Sequence, residues 1–336
     1  MNKYPLQIID FRATVKHAYY GVSDKTLHCV KLDRKFAEWE AAAADFLTRY
    51  IRPMLEQGAS PREMLVAHDA GKAYRLGLYP AYKGQKEKKD ENKSPIEIEQ
   101  YKLLMAWAKR FFSALGATQM FVEGVEADDL IAWVCQMVKG AKDIHTVDED
   151  MLQLVDGDTI VTLKNVAHYG ADGVYPEGHK LAGLPYRFTS FAKSIMGDDS
   201  DNYKGVTGLG PAKVLKLLEL YDVDGLEQLC EIVESGNTDL LDETIEASGD
   251  KILIKLKENF ADWKMGWRLA NLKPDLCWKP RQRKLTKPKI HKRVPNATEL
   301  YNCLKEVGCE DMWEAEYSHL MPVPMIVDAS NWPEMR

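Results

Sequence analysis

Short apolar runs ending in an acid recur along this chain. Leu6 to Ile9 leads into Asp10, Met64 to His68 into Asp69, Met120 to Val122 into Glu123, and Ile144 to Val147 into Asp148. Each run has the length of a buried strand. Between the third and fourth, Leu130, Ile131, Val134, Met137 and Val138 recur at the spacing of one helix face. The stretch from Glu123 to Asp150 therefore predicts strand, helix, strand. Longer helical periods cover Phe36 to Leu55 and Tyr101 to Leu115, the latter with Leu103, Leu104, Trp107, Phe111 and Leu115 on one side. Met151–Val155 and Phe188–Met196 read as short helices, Thr159–Leu163 as a strand, and Leu226–Asn271 as mostly helical, with Trp263 and Trp267 as core. In open α/β sheets, ligand-holding groups gather at the carboxyl ends of parallel strands. The acids would then share one edge.

That edge carries Glu126, Asp128 and Asp129 after one strand and Asp148 and Asp150 after another. Carboxylates packed closely repel one another and take up protons. A hard divalent cation removes the conflict, and oxygen-only clusters suit magnesium or manganese. One such group alone reads as a solvated, acidic helix start. A lone Asp10 or Asp69 reads as a strand-end turn residue. Recurrence at four strand ends moves the reading to metal binding.

The 336 residues are 45% hydrophobic and 10% aromatic, enough for a large core and against wholesale disorder. Met1 to Phe11 has no signal-peptide pattern, and no apolar run reaches membrane-spanning length. Six cysteines, at 29, 135, 230, 277, 303 and 309, show no CxxC spacing. That argues against zinc and for reduced thiols in a cytosolic compartment. A net charge of −6 argues against a nucleic-acid partner until its distribution is considered. Lys279 to Arg293 holds eight basic residues and no acid, whereas the stretch from Glu299 is acidic.

Two further stretches bear on such a partner. Tyr74-Arg75 and Tyr79-Pro80-Ala81-Tyr82-Lys83-Gly84 interleave rings with cations ahead of a mixed charge run to Lys93. The charge run reads as a solvated loop. The segment before it has what a single-strand channel uses, cations for phosphates and rings for stacking. Gly197-Asp198-Asp199-Ser200-Asp201-Asn202 precedes Gly205-Val206-Thr207-Gly208-Leu209-Gly210-Pro211-Ala212-Lys213. Gly208 and Gly210 bracket a tight turn, and Pro211 suits the first position of the next helix. Backbone N–H groups there can hold a phosphate, with Lys213 and Lys216 adding charge. This helix–hairpin–helix pattern touches the nucleic-acid backbone without reading bases. The Asp-rich run lacks the regular spacing and terminal Glu of a calcium loop.

In their order, these pieces resemble the flap endonuclease and 5′→3′ exonuclease family, which includes bacteriophage 5′-nucleases and the 5′-nuclease domain of bacterial DNA polymerase I. The resemblance runs from Leu6 to about Leu272. Its most specific pieces are Val125-Glu126-Ala127-Asp128-Asp129, Asp148-Glu149-Asp150-Met151-Leu152-Gln153-Leu154-Val155, and Gly197 to Asn202 with the glycine turn. Tyr79 to Lys83 is similar to the family's Tyr-Lys segment at the base of a helical arch. The resemblance implies an α/β fold of the PIN type, with a mostly parallel central sheet flanked by helices. Residues 1–185 would form the nuclease core with an arch at about 72–100, residues 186–276 a helix–hairpin–helix region, and residues 277–336 an unassigned basic segment and acidic tail.

Carried over residue by residue, Asp10, Asp69, Glu126, Asp128 and Asp129 match the acids around a first metal, and Asp148, Asp150, Asp198 and Asp201 those around a second. Arg75 and Lys83 match cations that touch the scissile phosphate. Tyr82, Gly205, Val206, Gly208, Leu209, Gly210, Lys213 and Lys216 fall on the DNA-binding side. Phe11-Arg12-Ala13-Thr14 departs from the small residues common after the first acid. The implied activity is a structure-specific 5′-nuclease using two Mg2+ or Mn2+ ions, with K+ at the glycine turn. Its substrates would be DNA with 5′ flaps, nicks or free 5′ ends, and RNA–DNA hybrids. The expected setting is a cytoplasmic monomer whose tail binds a replication protein. Two alternatives are a PIN-type ribonuclease, which would not need the glycine hairpin, and a DNA-binding module with a decayed nuclease centre, which would lack acids that are all present here.

Overall fold

The structure, a computed structural model, describes residues 5–24, 38–84, 95–164, 166–272 and 289–320. The charge run at 85–94, most of the basic segment and the chain beyond residue 320 lie outside these.

The strand-like runs form one sheet. β1 (Leu6–Asp10), β2 (Met64–Ala67), β3 (Thr118–Phe121), β4 (Lys142–Thr146) and β5 (Thr159–Leu163) are parallel, and β6 (Ala167–Tyr169) and β9 (Lys289–His291) run antiparallel at the two edges. The order is β6-β5-β4-β1-β2-β3-β9. The central strands are apolar on both faces because both faces are covered, as parallel sheets require. Neighbouring residues on β1 serve different cores: Ile8 belongs to one cluster and Ile9 to the other.

On the Ile9 face lie α1 (Phe11–Asp24), α2 (Trp39–Phe46), α3 (Arg52–Glu56) and α5 (Pro95–Leu115). A short helix, α4 (Ala73–Leu78), precedes α5. The α5 stripe buries Leu104, Trp107, Phe111 and Leu115 as expected. Leu103, expected on the same side, is 42% exposed, because it sits one residue and so about 100° round from Leu104. The Ile8 face is covered by α6 (Ala127–Met137), α7 (Thr189–Met196), α8 (Pro211–Ser235), α9 (Asp239–Ser248), α10 (Lys251–Glu258) and α11 (Phe260–Ala270). Trp263 is fully buried there and donates its indole N–H to Ser194 at 3.1 Å. Met137, expected on the buried face of α6, is 38% exposed at its end. Among the described residues no helix is long and apolar enough to cross a membrane.

Described parts of the stretch left unassigned, residues 277–336, join the sheet and the core. β9 pairs with β3, Phe121 opposite Lys289 and Gln119 opposite His291. α12 (Ala297–Glu306) puts Leu300, Cys303 and Leu304 into the Ile9-face cluster, and Tyr317 follows them. Trp107 donates to the Cys303 carbonyl at 3.0 Å, and Arg52 pairs with Glu316 at 2.6 Å. Burying each large apolar side chain contributes about 1.5–3 kcal/mol, so these residues are integral to the fold.

Candidate functional site

The parallel strands all end at one edge, and the acids stand there. Asp10, the last residue of β1, accepts a hydrogen bond from the Thr146 hydroxyl at 2.8 Å across the sheet. Asp69, just past β2, accepts from the Ala127 N–H at 2.9 Å and so fastens the start of α6. Glu126 is the residue before α6, with Asp128 and Asp129 in the first turn, where carboxylates suit the positive helix end. Asp148 accepts from the Asp150 N–H at 3.0 Å, capping the 3-10 turn Glu149–Leu154 that follows β4.

The remaining acids arrive on a small hairpin. β7 (Gly197–Asp198) and β8 (Tyr203–Lys204) pair antiparallel. The Asp198 carboxylate accepts from the Ser200 N–H at 2.7 Å, which curls the turn. Gly205 closes it where no side chain fits: a Cβ there would lie 2.0 Å from the Ile195 carbonyl and 2.3 Å from the Gly197 nitrogen. Gly208 has φ +79, and Gly210 directly precedes α8, with Pro211 as its first residue.

Two carboxylate groups result. Glu126, Asp128 and Asp129 form one; Asp150, Asp198 and Asp201 form the other; within each, ligand oxygens lie within 4.8 Å of one another. Asp10 and Asp69 flank the first group, and Asp148 the second. Crowding shows in the acidities. Burial, with Asp69 and Asp148 adding like charge, pushes Asp10 up to about 7 despite the Thr146 hydrogen bond. Burial and then Asp148 push Asp150 up to about 7, against the pull of Lys193. Burial also raises Asp69. A cation between these groups would relieve the strain, and an all-oxygen donor set fits magnesium or manganese.

Protein cations already lie against both groups. Lys83 places its ammonium 2.5 Å from Glu126 Oε1 and 3.7 Å from Asp201 Oδ1, so it spans them. Its backbone has φ 55 and donates to the Asp201 carbonyl at 2.9 Å, which fixes the unusual conformation. Lys193 contacts Asp150 and lies 2.6 Å from Asp198 Oδ2. Lys193 was missed in the sequence, where it is the one charged position of its helix; its place five residues before Asp198 was the available signal. Despite burial, Lys193 and Ser200 hold Asp198 down to about 2.

Arg75 differs from its sequence expectation. It is 2% exposed, and its guanidinium takes both Asp129 oxygens at 2.8 Å, Glu126 Oε2 at 2.8 Å and the Leu269 carbonyl at 3.2 Å. It clamps these carboxylates from beneath the site. Asp129, whose side chain is also 2% exposed, has both carboxylate oxygens on Arg75. Burial opposes ionisation of Asp128, but Arg75 and Lys83 outweigh it and its pKa is lowered. Tyr82, expected to stack on bases, is 1% exposed among Tyr203, Leu269 and Ala270, with its hydroxyl on Asp201 at 3.0 Å.

At the glycine turn, Val206 and Leu209 are buried, and their N–H groups bond Ile195 and Val206 carbonyls at 2.7 and 3.0 Å. The first of these bonds fastens the turn to α7 and the second closes the turn on itself. Lys213 and Lys216 are exposed, Lys216 in a 2.7 Å pair with Glu219. Arg12, where the sequence departs from small residues, is exposed 3.8 Å from Asp69. His68, its ring tilted against Phe11 with centroids 4.3 Å apart, is pulled down to about 4 by burial, with Lys109 and His291 adding positive charge.

Comparison with known proteins agrees with this geometry. Residues 5–177 match the family model of the 5′-3′ exonuclease N-terminal resolvase-like domain. The chain is 32% identical over 272 residues to DNA polymerase I of Lactococcus lactis subsp. cremoris, covering 77% of this chain but 28% of that one. It is 29% identical over 220 residues to a 5′-3′ exonuclease of Bacillus subtilis, covering 63% of this chain and 66% of that one. The chain therefore spans little more than a quarter of the polymerases it matches. Among solved structures, T5 5′-exonuclease with bound divalent metal (zinc) superposes with a TM-score of 0.61 at 17% identity, over 94% of this chain and 98% of that one. The bacteriophage T5 D15 flap endonuclease with DNA and metal ions gives 0.58 at 18% identity, over 94% of this chain and 99% of that one. At such identities the likeness is one of fold, and the mostly parallel sheet flanked by helices expected from the sequence is the one found.

Proposed function

The chain belongs to the 5′-3′ exonuclease family, and from that premise we propose that it is a structure-specific 5′-nuclease, hydrolysing phosphodiester bonds at DNA flaps, nicks and free 5′ ends, and in RNA–DNA hybrids, in replication or repair. One observation carries the reading: two carboxylate groups side by side on the strand-end edge, bridged by Lys83. Two divalent ions held there would supply an activated water and a counter-charge for the leaving 3′-oxygen. The holders would be Asp10, Asp69, Glu126 and Asp128 on one side and Asp148, Asp150, Asp198 and Asp201 on the other. Mg2+ or Mn2+ suits these oxygens. K+ at the glycine turn and a cytoplasmic monomer belong to the same proposal.

The chain's own groups do the rest. Lys83 sits between the two carboxylate groups with an ammonium kept charged: burial opposes the proton, but Asp128, Glu126 and Asp201 raise its pKa. A phosphate entering this edge can draw that ammonium from Glu126 and gain its charge. Arg75 holds Glu126 and Asp129 in place from beneath. The exposed α8 start, with Lys213 and Lys216, holds duplex backbone without reading sequence. A replication protein bound by the chain's end would use residues beyond 320.

The test is cleavage of a 5′-labelled flap, a nicked duplex and an RNA–DNA hybrid by the purified chain in magnesium and in EDTA. Magnesium-dependent products from the 5′ side are expected. Full activity in EDTA would remove the metal reading, and no cleavage of any of the three would remove the nuclease reading.

A further inference from the structure

The basic segment's described end lies in a place that the nuclease reading does not use. β9 is the edge strand, and its residues alternate between faces. Ile290 packs toward the Ile8-face core. Lys289, His291 and, continuing the alternation, Arg293 are exposed. The Phe121 ring lies between two of them, 5.5 Å from the Lys289 ammonium and 5.5 Å from the His291 ring, which is nearly parallel to it. Lys109 on α5 is exposed nearby, close enough to His68 to act on it together with His291. No acid is paired with Lys109, Lys289 or Arg293 in any described ion pair. The next cation along α5, Arg110, is by contrast engaged by Glu299 and Glu306 at 3.1 and 2.8 Å.

Position gives this row its meaning. Antiparallel pairing puts Lys289 opposite Phe121, at the strand-end edge where the acids stand. From Asp69 at the end of β2, β9 is two strands away, about 10 Å. The row then descends along the flank, away from the acids. Alternate residues of a strand are about 6.6–6.8 Å apart, a step comparable to that between successive phosphates of an extended strand. The hairpin and α8, which take the duplex in the reading above, cover the opposite face of the sheet.

We propose that Lys109, Lys289 and Arg293 form a phosphate track along the β9 edge that carries the unpaired 5′ arm of the substrate away from the acids, with the Phe121 and His291 rings as its floor. The inference rests on the 5′-nuclease reading for its choice of substrate, but binding can test it without cleavage.

The experiment compares the wild-type chain with the triple variant Lys109→Ala, Lys289→Ala, Arg293→Ala, in calcium, across a series of KCl concentrations. The ligands are a nicked duplex with no arm and the same duplex with a long single-stranded 5′ arm. Removing one cation that neutralises a single-strand phosphate should lower the slope of log K against log salt by about 0.7. For the armed substrate, the variant's slope should fall by about 2, and affinity should drop roughly a hundredfold at 0.1 M salt. The armless duplex should bind as before. An unchanged slope on the armed substrate overturns the track. So does an equal loss on both substrates, which would make the row a duplex-binding surface. A salt-dependent change in melting temperature without a change in DNA affinity would likewise overturn it, in favour of internal pairing with the acidic end of the chain. Unarmed binding by wild type with no cleavage in magnesium would instead count against the nuclease reading alone.

Discussion

Replacing Arg75 separates a buried clamp from a phosphate-binding cation. Its guanidinium is 2% exposed and holds Asp129 at both oxygens, with Glu126 beside it. In Arg75→Met, at least two carboxylates lose their buried partner. Breaking such a pair costs about 3–5 kcal/mol, because the charge left behind stays out of water. At about 2–4 °C per kcal/mol for domains of 150–250 residues, melting should fall by roughly 6–20 °C. The loss should depend on pH. Asp128 is held low in part by Arg75, so its contribution is present above the unfolded pKa and vanishes as pH falls through the folded one. The deficit of the variant should therefore be large at pH 7 and smaller at pH 3, below the ordinary carboxylate value of 3.8. The assay is thermal or urea denaturation in EDTA at both pH values, beside single-turnover cleavage in magnesium. An Arg75→Met chain that melts like wild type yet cleaves far more slowly would refute the clamp and return Arg75 to the phosphate.

Three further outcomes follow from the same geometry. Lys83→Ala should slow single-turnover cleavage by about a hundred- to a thousand-fold while changing flap affinity only a few-fold, whereas exposed Lys180→Ala should leave both alone; equal rates for the two variants would make Lys83 a surface lysine. Divalent-ion affinity, measured by calorimetry, should rise as pH rises through about 7, where Asp10 and Asp150 lose their protons, and binding should release protons into the buffer; because these folded pKa values lie above the ordinary 3.8, the metal-free fold should in turn lose stability between pH 4 and 7, and a flat profile would contradict the crowding. Gly205→Ala should cost about 3 kcal/mol or more by overpacking against Ile195 and Gly197 and should weaken duplex binding, while Gly210→Ala, with nothing within 4 Å of the added Cβ, should be tolerated; the reverse order in urea melts would discredit the hairpin's role as a fixed mount.

The strand-then-acid rhythm was legible because it is local: an apolar run predicts its own burial, and the parallel sheet puts every run's end on one edge. Asp10, Asp69, Glu126 and Asp148 could be placed that way. Arg75 and Tyr82 could not. They lie in a short stretch without periodicity, and what buries them is remote: the Leu269 carbonyl for one and Asp201 with Tyr203 for the other. A cation and a ring in a polar stretch look like surface until α11 arrives beneath them. β9 escaped for a related reason. It has three residues, one of them apolar, and its partner lies far earlier in the chain, so neither period nor composition marks it. The same remoteness changes how the basic segment must be tested, since deleting everything from Lys279 onward would also remove β9 and α12.

Until Lys289 to His291 are made, the outer side of β3 has no neighbour. At 5–20 residues per second, a ribosome needs about 8 to 34 s to travel from Phe121 to Lys289. Throughout that interval a nascent chain presents unpaired N–H and C=O groups on an apolar strand, the kind of edge that recruits other strands. Arg75 waits for Leu269 somewhat longer, about 10 to 39 s. A half-made chain would therefore have most of its acids and neither a closed sheet nor a braced clamp. Nascent chains stalled before residue 289 should be the ones that chaperones retain, and release should coincide with the edge being sealed.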